Sequence, residues 1–232
     1  MSLPKLILLH GALGASSQFN ELRKRLSSDF EIYSLDFPGH GGSEIPSEPL
    51  SFSLFASRVI TFLDQHNISK IHVFGYSMGG YAALWIASHF PGRIDKIFTL
   101  ATKFDWNEGS ARREASMLNP ENIEAKVPAF AKRLAQLHAP QDWKAVVNKT
   151  ADMILNLGKI HLNEYDFKSI VNNVMVSVGD KDSMVSIEES RKVSALLPKS
   201  TLYIFSDSYH PFEKMELNKL IPEIKLFLKE QR

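Results

Sequence analysis

Cysteine is absent from this sequence of 232 residues, which excludes disulfide bonds, thiolate nucleophiles and zinc–thiolate sites. Long apolar runs are missing too: no stretch approaches the roughly 18–20 apolar residues that a membrane-spanning helix needs. The charges, 27 Lys and Arg against 26 Asp and Glu, are interspersed instead of forming blocks, which argues against a nucleic-acid partner. No pair of histidines with a carboxylate has the spacing of a helical metal site. We therefore expect no nucleic-acid partner, no membrane span and no bound metal.

The first ten residues contain one lysine and an apolar run that is too short for a secretory signal. No small-residue cleavage site precedes His10. We therefore expect the chain to be mature from Met1 and cytoplasmic. Nothing in the sequence specifies an oligomeric state.

Apolar residues make up 44% of the chain and charged residues 23%, which is typical of a globular domain. Short apolar segments alternate with segments of helical periodicity, which predicts a doubly wound α/β fold with a parallel sheet covered on both faces. The predicted strands are 5–9, 31–35, 70–74, 94–100, 174–178 and 201–205. The predicted helices of this core are 19–26, 52–65, 78–90, 187–197 and 211–229. Ligands of such sheets bind at the carboxyl ends of the strands, so the loops there should carry the chemistry.

The sequence Gly75-Tyr76-Ser77-Met78-Gly79 joins a predicted strand directly to a predicted helix. Glycines two positions before and after the serine allow a tight corner, because they remove Cβ atoms where strand and helix backbones approach. Such a corner exposes a serine hydroxyl at the end of the strand, beside the unpaired N–H groups of the helix. This arrangement suits a nucleophile for acyl transfer, and it favours Ser77 for that role.

Several loops share a pattern of residues that follow predicted strands. They are His10-Gly11, the loop from Asp36 to Ser43, the serine corner, Gly179-Asp180-Lys181-Asp182, and His210. In order and placement this set resembles the α/β-hydrolase superfamily over nearly the whole chain. The resemblance implies a sheet of about six strands, all parallel, that lacks the family's first hairpin. It also implies a catalytic triad in the order Ser, acid, His.

Asp182 and His210 are the residues that match the remaining triad positions. Asp182 fits the family pattern Gly-x-x-Asp followed by an apolar residue, and a carboxylate there can orient an imidazole. Three other aspartates are weaker alternatives: Asp180 is the nearest rival, Asp105 occupies a less common acid position, and Asp207 is too close in sequence to His210. The resemblance assigns His210 the role of general base.

The oxyanion hole should use the backbone N–H groups of Met78, which follows the nucleophile, and Ala12, which follows His10-Gly11. We expect side chains to matter little at these positions. Gly11 lets the loop bend, and His10 should brace it rather than act as a second base. The residues expected to shape the site are His10, Gly11, Gly75, Tyr76 and Gly79. We interpret His40 as structural and accept a surface or core role for His138.

Residues 102–165 interrupt the alternation, because they contain helical patterns and no convincing strand. Insertions at this point form helical caps in the family, so we predict a cap at 102–165 inserted into a core of 1–101 and 166–232. Residues that could line an acyl pocket are Leu13, Phe104, Trp106, Phe130 and Trp143, with Met153 and Leu157 as further candidates. Docking of amphipathic helices is the better explanation for most such residues, and we expect two or three of them to line the pocket.

The sequence thus favours a serine hydrolase that acts on a carboxylic ester or related small acyl substrate through an acyl-enzyme, without a cofactor. Two alternatives stay open. One is different chemistry on the same triad: C–C or thioester hydrolysis, acyl transfer, elimination like that of the menaquinone-pathway synthase, or cofactor-free haloperoxidase or perhydrolase activity. The other is a ligand-binding receptor or scaffold with little turnover.

Overall fold

The computed structural model describes residues 3–229 of the chain. Residues 1–2 and 230–232, which belong to the predicted core of 1–101 and 166–232, lie outside the described residues, as does the predicted start at Met1. Within this range, no helix combines the length and the apolar character that crossing a membrane requires.

A single parallel sheet of six strands forms the centre of the fold, in the order β2-β1-β3-β4-β5-β6. The strands are β1 Lys5–Leu9, β2 Glu31–Ser34, β3 Ile71–Tyr76, β4 Ile94–Leu100, β5 Asn173–Gly179 and β6 Ser200–Phe205. The strand order reverses between β1 and β3, so the loops after these two strands diverge at a topological switch point. The predicted six-stranded parallel sheet is confirmed, and its strand boundaries differ from the predicted ones by at most two residues.

Ten α-helices surround the sheet in the described part of the chain. They are α1 Asn20–Leu26, α2 Phe52–Gln65, α3 Met78–His89, α4 Glu108–Met117, α5 Pro120–Lys126, α6 Pro128–His138, α7 Trp143–Leu157, α8 Glu164–Ser169, α9 Ile187–Leu196 and α10 Leu217–Lys229. Helices α4 to α8 all lie between β4 and β5 in the chain.

Two apolar layers pack against opposite faces of the sheet. Ile7 and Leu9 of β1 belong to the layer formed with α2, α3 and α9, whereas Leu6 and Leu8 belong to the layer formed with α1 and α10. Alternate residues of a strand point to opposite faces, which explains why β1 is apolar throughout. Helices on both faces confirm the doubly wound arrangement.

The last predicted helix, residues 211–229, is wrong in its first part. Pro211 and Met215 both have extended backbones, and only the short 3-10 turn Phe212–Lys214 lies between them, so α10 begins at Leu217. Buried Phe212 packs edge-on against Phe19. This contact holds the turn against the core.

Candidate active site

Ser77 occupies the corner between β3 and α3 with φ 50° and ψ −116°. A residue with a side chain rarely adopts a positive φ, and such strain persists only where surrounding contacts hold it. Here the Ser77 N–H donates to the carbonyl of Leu100 at 2.8 Å. The hydroxyl of Thr102 donates to the Ser77 carbonyl at 3.1 Å. The corner is therefore fixed by β4 and the loop that follows it.

The glycines on either side of Ser77 are required by close backbone contacts. A Cβ at Gly79 would lie 2.0 Å from the carbonyl oxygen of Leu9, and one at Gly75 would lie 2.5 Å from the carbonyl oxygen of Gly79. Neither neighbour is a flexible side chain that could move away. Both positions therefore exclude any residue larger than glycine at this geometry.

Ser77, His210 and Asp182 form one hydrogen-bonded chain. The Ser77 Oγ lies 3.3 Å from Nε2 of His210, and Nδ1 of His210 lies 2.8 Å from Oδ2 of Asp182. The Asp182 side chain is completely buried, whereas 10% of the His210 side chain is exposed. The structure thus brings together the three residues that the sequence predicted as nucleophile, base and acid.

The second oxygen of Asp182 explains how its carboxylate is held. Its Oδ1 accepts hydrogen bonds from the backbone N–H groups of Met184 and Val185, at 2.8 and 2.9 Å. The rival aspartates have other partners: Asp180 accepts from the backbone of Ser208 at 3.1 Å, and Asp207 pairs with Lys181.

Tyr76 supports the loop that carries His210. Its hydroxyl donates to the backbone carbonyl of His210 at 2.9 Å. Burial raises the pKa of this phenol, so it remains a neutral donor. The residue before the serine thus positions the histidine loop, a contact that links β3 to the segment after β6.

The loop after β1 is braced from within by His10. Its Nδ1 lies 2.8 Å from the Gly11 carbonyl, and its Nε2 accepts from the N–H of Phe37 at 3.1 Å. Burial lowers the pKa of His10 to about 4, so the ring is neutral, with its proton on Nδ1. Leu13 has a φ of 56°, and Ala12 beside it is exposed and lines cavities on both sides of His210.

His40 and His138 extend this arrangement into a buried cluster of three histidines. The rings of His10 and His40 lie 5.4 Å apart and those of His40 and His138 lie 5.8 Å apart. Burial lowers the pKa of His40 to about 3 and also lowers the pKa of His138. The N–H of Gly41 donates to Nδ1 of His138 at 3.0 Å. Sequence reasoning missed this role of His138, because a histidine at the end of a helix carries no local signal for it.

A cavity of about 80 Å³ opens beside Ser77 and His210. Apolar and aromatic side chains from α2, α3 and α7 line part of it, namely Phe52, Met78, Tyr81, Met153, Ile154 and Leu157. A second, larger cavity of about 480 Å³ lies on the other side of His210, against α6. Ala12 and His210 border both cavities, whereas Ser77 lines the apolar one.

Comparison with known proteins identifies the family of this chain. Residues 4–142 match the family model described as alpha/beta hydrolase fold. The chain belongs to the α/β-hydrolase family. The site described above lies at the carboxyl ends of the strands, which is the edge where parallel α/β sheets bind ligands.

Individual relatives of this α/β hydrolase are distant. A protein of Haemophilus influenzae that is provisionally named an esterase/lipase is 24% identical, over 97% of this chain and 83% of its own. The poly(3-hydroxyalkanoate) depolymerase of Ectopseudomonas oleovorans is also 24% identical, over 97% of this chain and 85% of its own. The structure of MenH from S. aureus has a TM-score of 0.81 at 20% identity, covering 99% of this chain and 94% of that one. At such identity the structural likeness shows the fold.

The residues predicted for an acyl pocket are dispersed in this α/β hydrolase. Trp106 lines the apolar cavity, as do the further candidates Met153 and Leu157. Phe130 and Leu13 line the second cavity. Phe104 lies in the main core, and Trp143 packs on a small apolar cluster among the helices after β4. Sequence periodicity identifies the buried face of a helix but not what that face contacts. It therefore does not distinguish residues that line a cavity from residues that pack in the core.

Lys103 and Glu114 were not predicted to take part in the site, yet both line the apolar cavity. Their charged atoms lie 3.5 Å apart. Among the residues 3–229, no group of three or more histidine or acidic side chains is arranged to hold a metal ion.

Proposed function

We propose that this chain is a serine hydrolase that acts on a carboxylic ester or related acyl substrate through Ser77, His210 and Asp182. The observation that carries the proposal is the continuous hydrogen-bonded chain from the Ser77 hydroxyl through the His210 imidazole to the buried Asp182 carboxylate. A strained backbone at Ser77 supports it further, because non-glycine residues with positive φ concentrate at functional sites.

In the proposed mechanism, Nε2 of His210 takes the Ser77 proton while Oγ bonds to the substrate carbonyl carbon. The carbonyl oxygen becomes an oxyanion, which the backbone N–H groups of Met78 and Ala12 bind. Met78 is the first residue of α3, so its N–H has no intrahelical acceptor and lies at the positive end of the helix dipole. Collapse breaks the ester bond, and His210 returns the proton to the departing alcohol.

The second half of the reaction uses water in place of the alcohol. His210 removes a proton from the water as its oxygen attacks the acyl carbon of the Ser77 ester. Asp182 stabilises the imidazolium that forms in each half, and its two backbone hydrogen bonds keep the carboxylate in place. Collapse of the intermediate breaks the bond between the acyl carbon and Oγ, and His210 returns the proton to Oγ. The carboxylic acid leaves, the serine is regenerated, and no cofactor is required.

Residues 102–165 are proposed to form a cap that selects the substrate. The contacts that support this are those of Glu114 on α4 and of Met153, Ile154 and Leu157 on α7, all of which line the cavity beside Ser77. The apolar cavity suits the acyl group, and the larger cavity against α6 suits the alcohol group. The names of two relatives, an esterase/lipase and a polyester depolymerase, favour ester substrates over the other chemistries of this fold.

The test is hydrolysis of p-nitrophenyl esters by the wild type and by the variant Ser77→Ala. We expect kcat to fall by a factor on the order of 10⁴ to 10⁶, because loss of the nucleophile leaves only residual stabilisation by the oxyanion hole. Ser47→Ala, which alters an exposed serine in the loop before α2, should leave kcat unchanged. A Ser77→Ala enzyme with the wild-type rate would contradict the proposal.

Covalent labelling by a fluorophosphonate separates an enzyme from a binding protein. We expect stoichiometric labelling of Ser77, abolished in Ser77→Ala and retained in Ser47→Ala. Labelling without turnover of any ester in a panel of short and long acyl chains would instead favour a receptor that keeps a reactive serine.

A further inference from the structure

The apolar cavity beside Ser77 contains one charged pair. Its wall is formed mainly by hydrocarbon and aromatic side chains, and Lys103 and Glu114 are the charged residues among them. Both side chains are largely buried, with 16% and 14% of their surfaces exposed. An alkyl chain gains nothing from such a pair, and burying it carries a desolvation cost that apolar residues would avoid. The pair is therefore a candidate for substrate recognition.

The ammonium group of Lys103 has hydrogen-bonding capacity to spare. Its Nζ lies 3.5 Å from Oε1 of Glu114 and 3.5 Å from the carbonyl oxygen of Met184. Both distances are at the upper limit for a hydrogen bond, whereas an ammonium carries three N–H donors that prefer separations near 2.9 Å. A ligand oxygen entering the cavity can approach Nζ more closely than either protein acceptor does.

The backbone of Lys103 is fixed relative to the nucleophile. The preceding residue, Thr102, donates to the carbonyl of Ser77 at 3.1 Å. The following residue, Phe104, donates its N–H to the Glu189 carboxylate at 2.9 Å, and the indole of Trp106 donates to the Lys103 carbonyl at 3.2 Å. Three bonds thus hold the loop, so the ammonium is anchored next to the serine corner while Glu114 is contributed by α4.

The charges on the two side chains restrict what the pair can bind. A substrate carboxylate would be attracted by Lys103 but repelled by Glu114. A substrate ammonium would be attracted by Glu114 but repelled by Lys103. A hydroxyl group satisfies both, because its oxygen accepts from Nζ and its hydrogen is donated to the carboxylate. We propose that Lys103 and Glu114 recognise a hydroxyl group on the acyl part of the substrate, so that hydroxyacyl esters are the preferred class. This inference rests on the proposed function of Ser77.

The test compares esters in which a methyl group replaces the hydroxyl. One pair is p-nitrophenyl 6-hydroxyhexanoate and heptanoate, and the other is p-nitrophenyl 3-hydroxybutyrate and 3-methylbutyrate. We expect the wild type to favour the hydroxyl compound of at least one pair in kcat/KM. In Lys103→Met, the ratio of hydroxyl to methyl ester should fall about tenfold, mainly through the hydroxyl ester. Glu114→Leu should lower the same ratio severalfold.

Arg112→Met is the matched control, since Arg112 lies on the same helix as Glu114 but pairs with Glu108 at the exposed surface. Its ratio should equal that of the wild type. Each ratio comes from a single protein preparation, so it does not depend on the fraction of folded enzyme. Lys103→Gln replaces Lys103→Met if the latter yields no folded protein, and a smaller fall in ratio is expected because the Gln amide still donates a neutral hydrogen bond.

Failure of this inference differs from failure of the proposed function. Equal ratios in the wild type and Lys103→Met, while Ser77→Ala is inactive, would overturn hydroxyl recognition and leave the serine hydrolase intact. A higher kcat/KM for the p-nitrophenyl monoester of adipic acid than for the 6-hydroxyhexanoate would also overturn it, in favour of a carboxylate. Hydrolysis that persists in Ser77→Ala would instead remove the proposed function.

Discussion

His210 and the cluster of His10, His40 and His138 lie near the same edge of the sheet but in opposite surroundings. His210 is on a loop, partly exposed, with a carboxylate 2.8 Å from one nitrogen and a serine hydroxyl 3.3 Å from the other. The three clustered histidines are completely buried. Their ring nitrogens mainly contact backbone groups, such as the carbonyls of Gly11 and Pro38.

The two environments differ in solvent access and in the groups that contact the rings. A protonated ring in the cluster would lose its hydration, and burial accordingly lowers the pKa of His10 to about 4 and that of His40 to about 3. The negative charge of Asp36 opposes the shift at His10 but is the smaller effect. At His210, the Asp182 carboxylate is in direct contact with Nδ1, and in the proposed mechanism it stabilises the imidazolium that forms. The cluster therefore serves as a neutral scaffold for the loops beside the site.

The strongest way to sharpen the contrast is Asp182→Asn. An amide in place of the carboxylate can donate to Nδ1 and so favour the wrong tautomer of His210, and we expect kcat for ester hydrolysis to fall by a factor on the order of 10⁴. Asp180→Asn is the control, because this carboxylate lies two residues earlier and contacts the Ser208 backbone rather than His210. It should change kcat by less than about threefold. Equal losses in the two variants would contradict the assigned acid.

Much of this contrast could be predicted from the sequence, because the relevant signals are local. Each strand end is marked by a switch from apolar residues to glycine and polar residues, and parallel strands place those ends at one edge. Ser77, Asp182 and His210 follow three different strands, so their meeting at that edge follows from the fold. Their catalytic roles remain predictions.

What could not be predicted depends on contacts between distant parts of the chain. His138 reaches Gly41 across 97 residues of sequence, and Lys103 meets Glu114 only because α4 turns back over the cavity. No local sequence motif marks either pair. Helix periodicity predicts which face of α6 or α7 is buried, but it does not predict which part of the chain packs against that face. The assignment of Phe104 and Trp143 to a pocket was uncertain for the same reason.

The pH dependence of stability offers a second way to test the comparison. A histidine with a pKa near 6.5 when unfolded and about 3 when folded stabilises the protein fully above pH 6.5, and this contribution is lost as the pH falls from 6.5 towards 3. Between pH 8 and pH 5 the loss for His40 is about 2 kcal/mol. Urea titrations at pH 8 and pH 5 measure how much unfolding free energy each protein loses between these pH values. We expect the loss in His40→Gln to be about 2 kcal/mol smaller than the loss in the wild type.

His66→Gln is the control for this measurement, since His66 is exposed on the surface. It should keep the pH dependence of the wild type. If His40→Gln also keeps it, His40 is not held neutral by burial and the contrast with His210 disappears.

The smallest expected effect concerns the hydrogen bond between His138 and the N–H of Gly41. In His138→Phe the ring is kept but the acceptor is lost, which leaves a backbone donor unsatisfied at the junction between α6 and the loop after β2. We expect the unfolding free energy at pH 8 to fall by about 1 kcal/mol and hydrogen exchange at the Gly41 amide to accelerate, while kcat is retained. His138→Asn supplies an oxygen close to the position of Nδ1, so it should preserve more of the protection at Gly41. If exchange at Gly41 in His138→Phe were as slow as in the wild type, the bond would contribute nothing, and the cluster would brace the loops through packing alone.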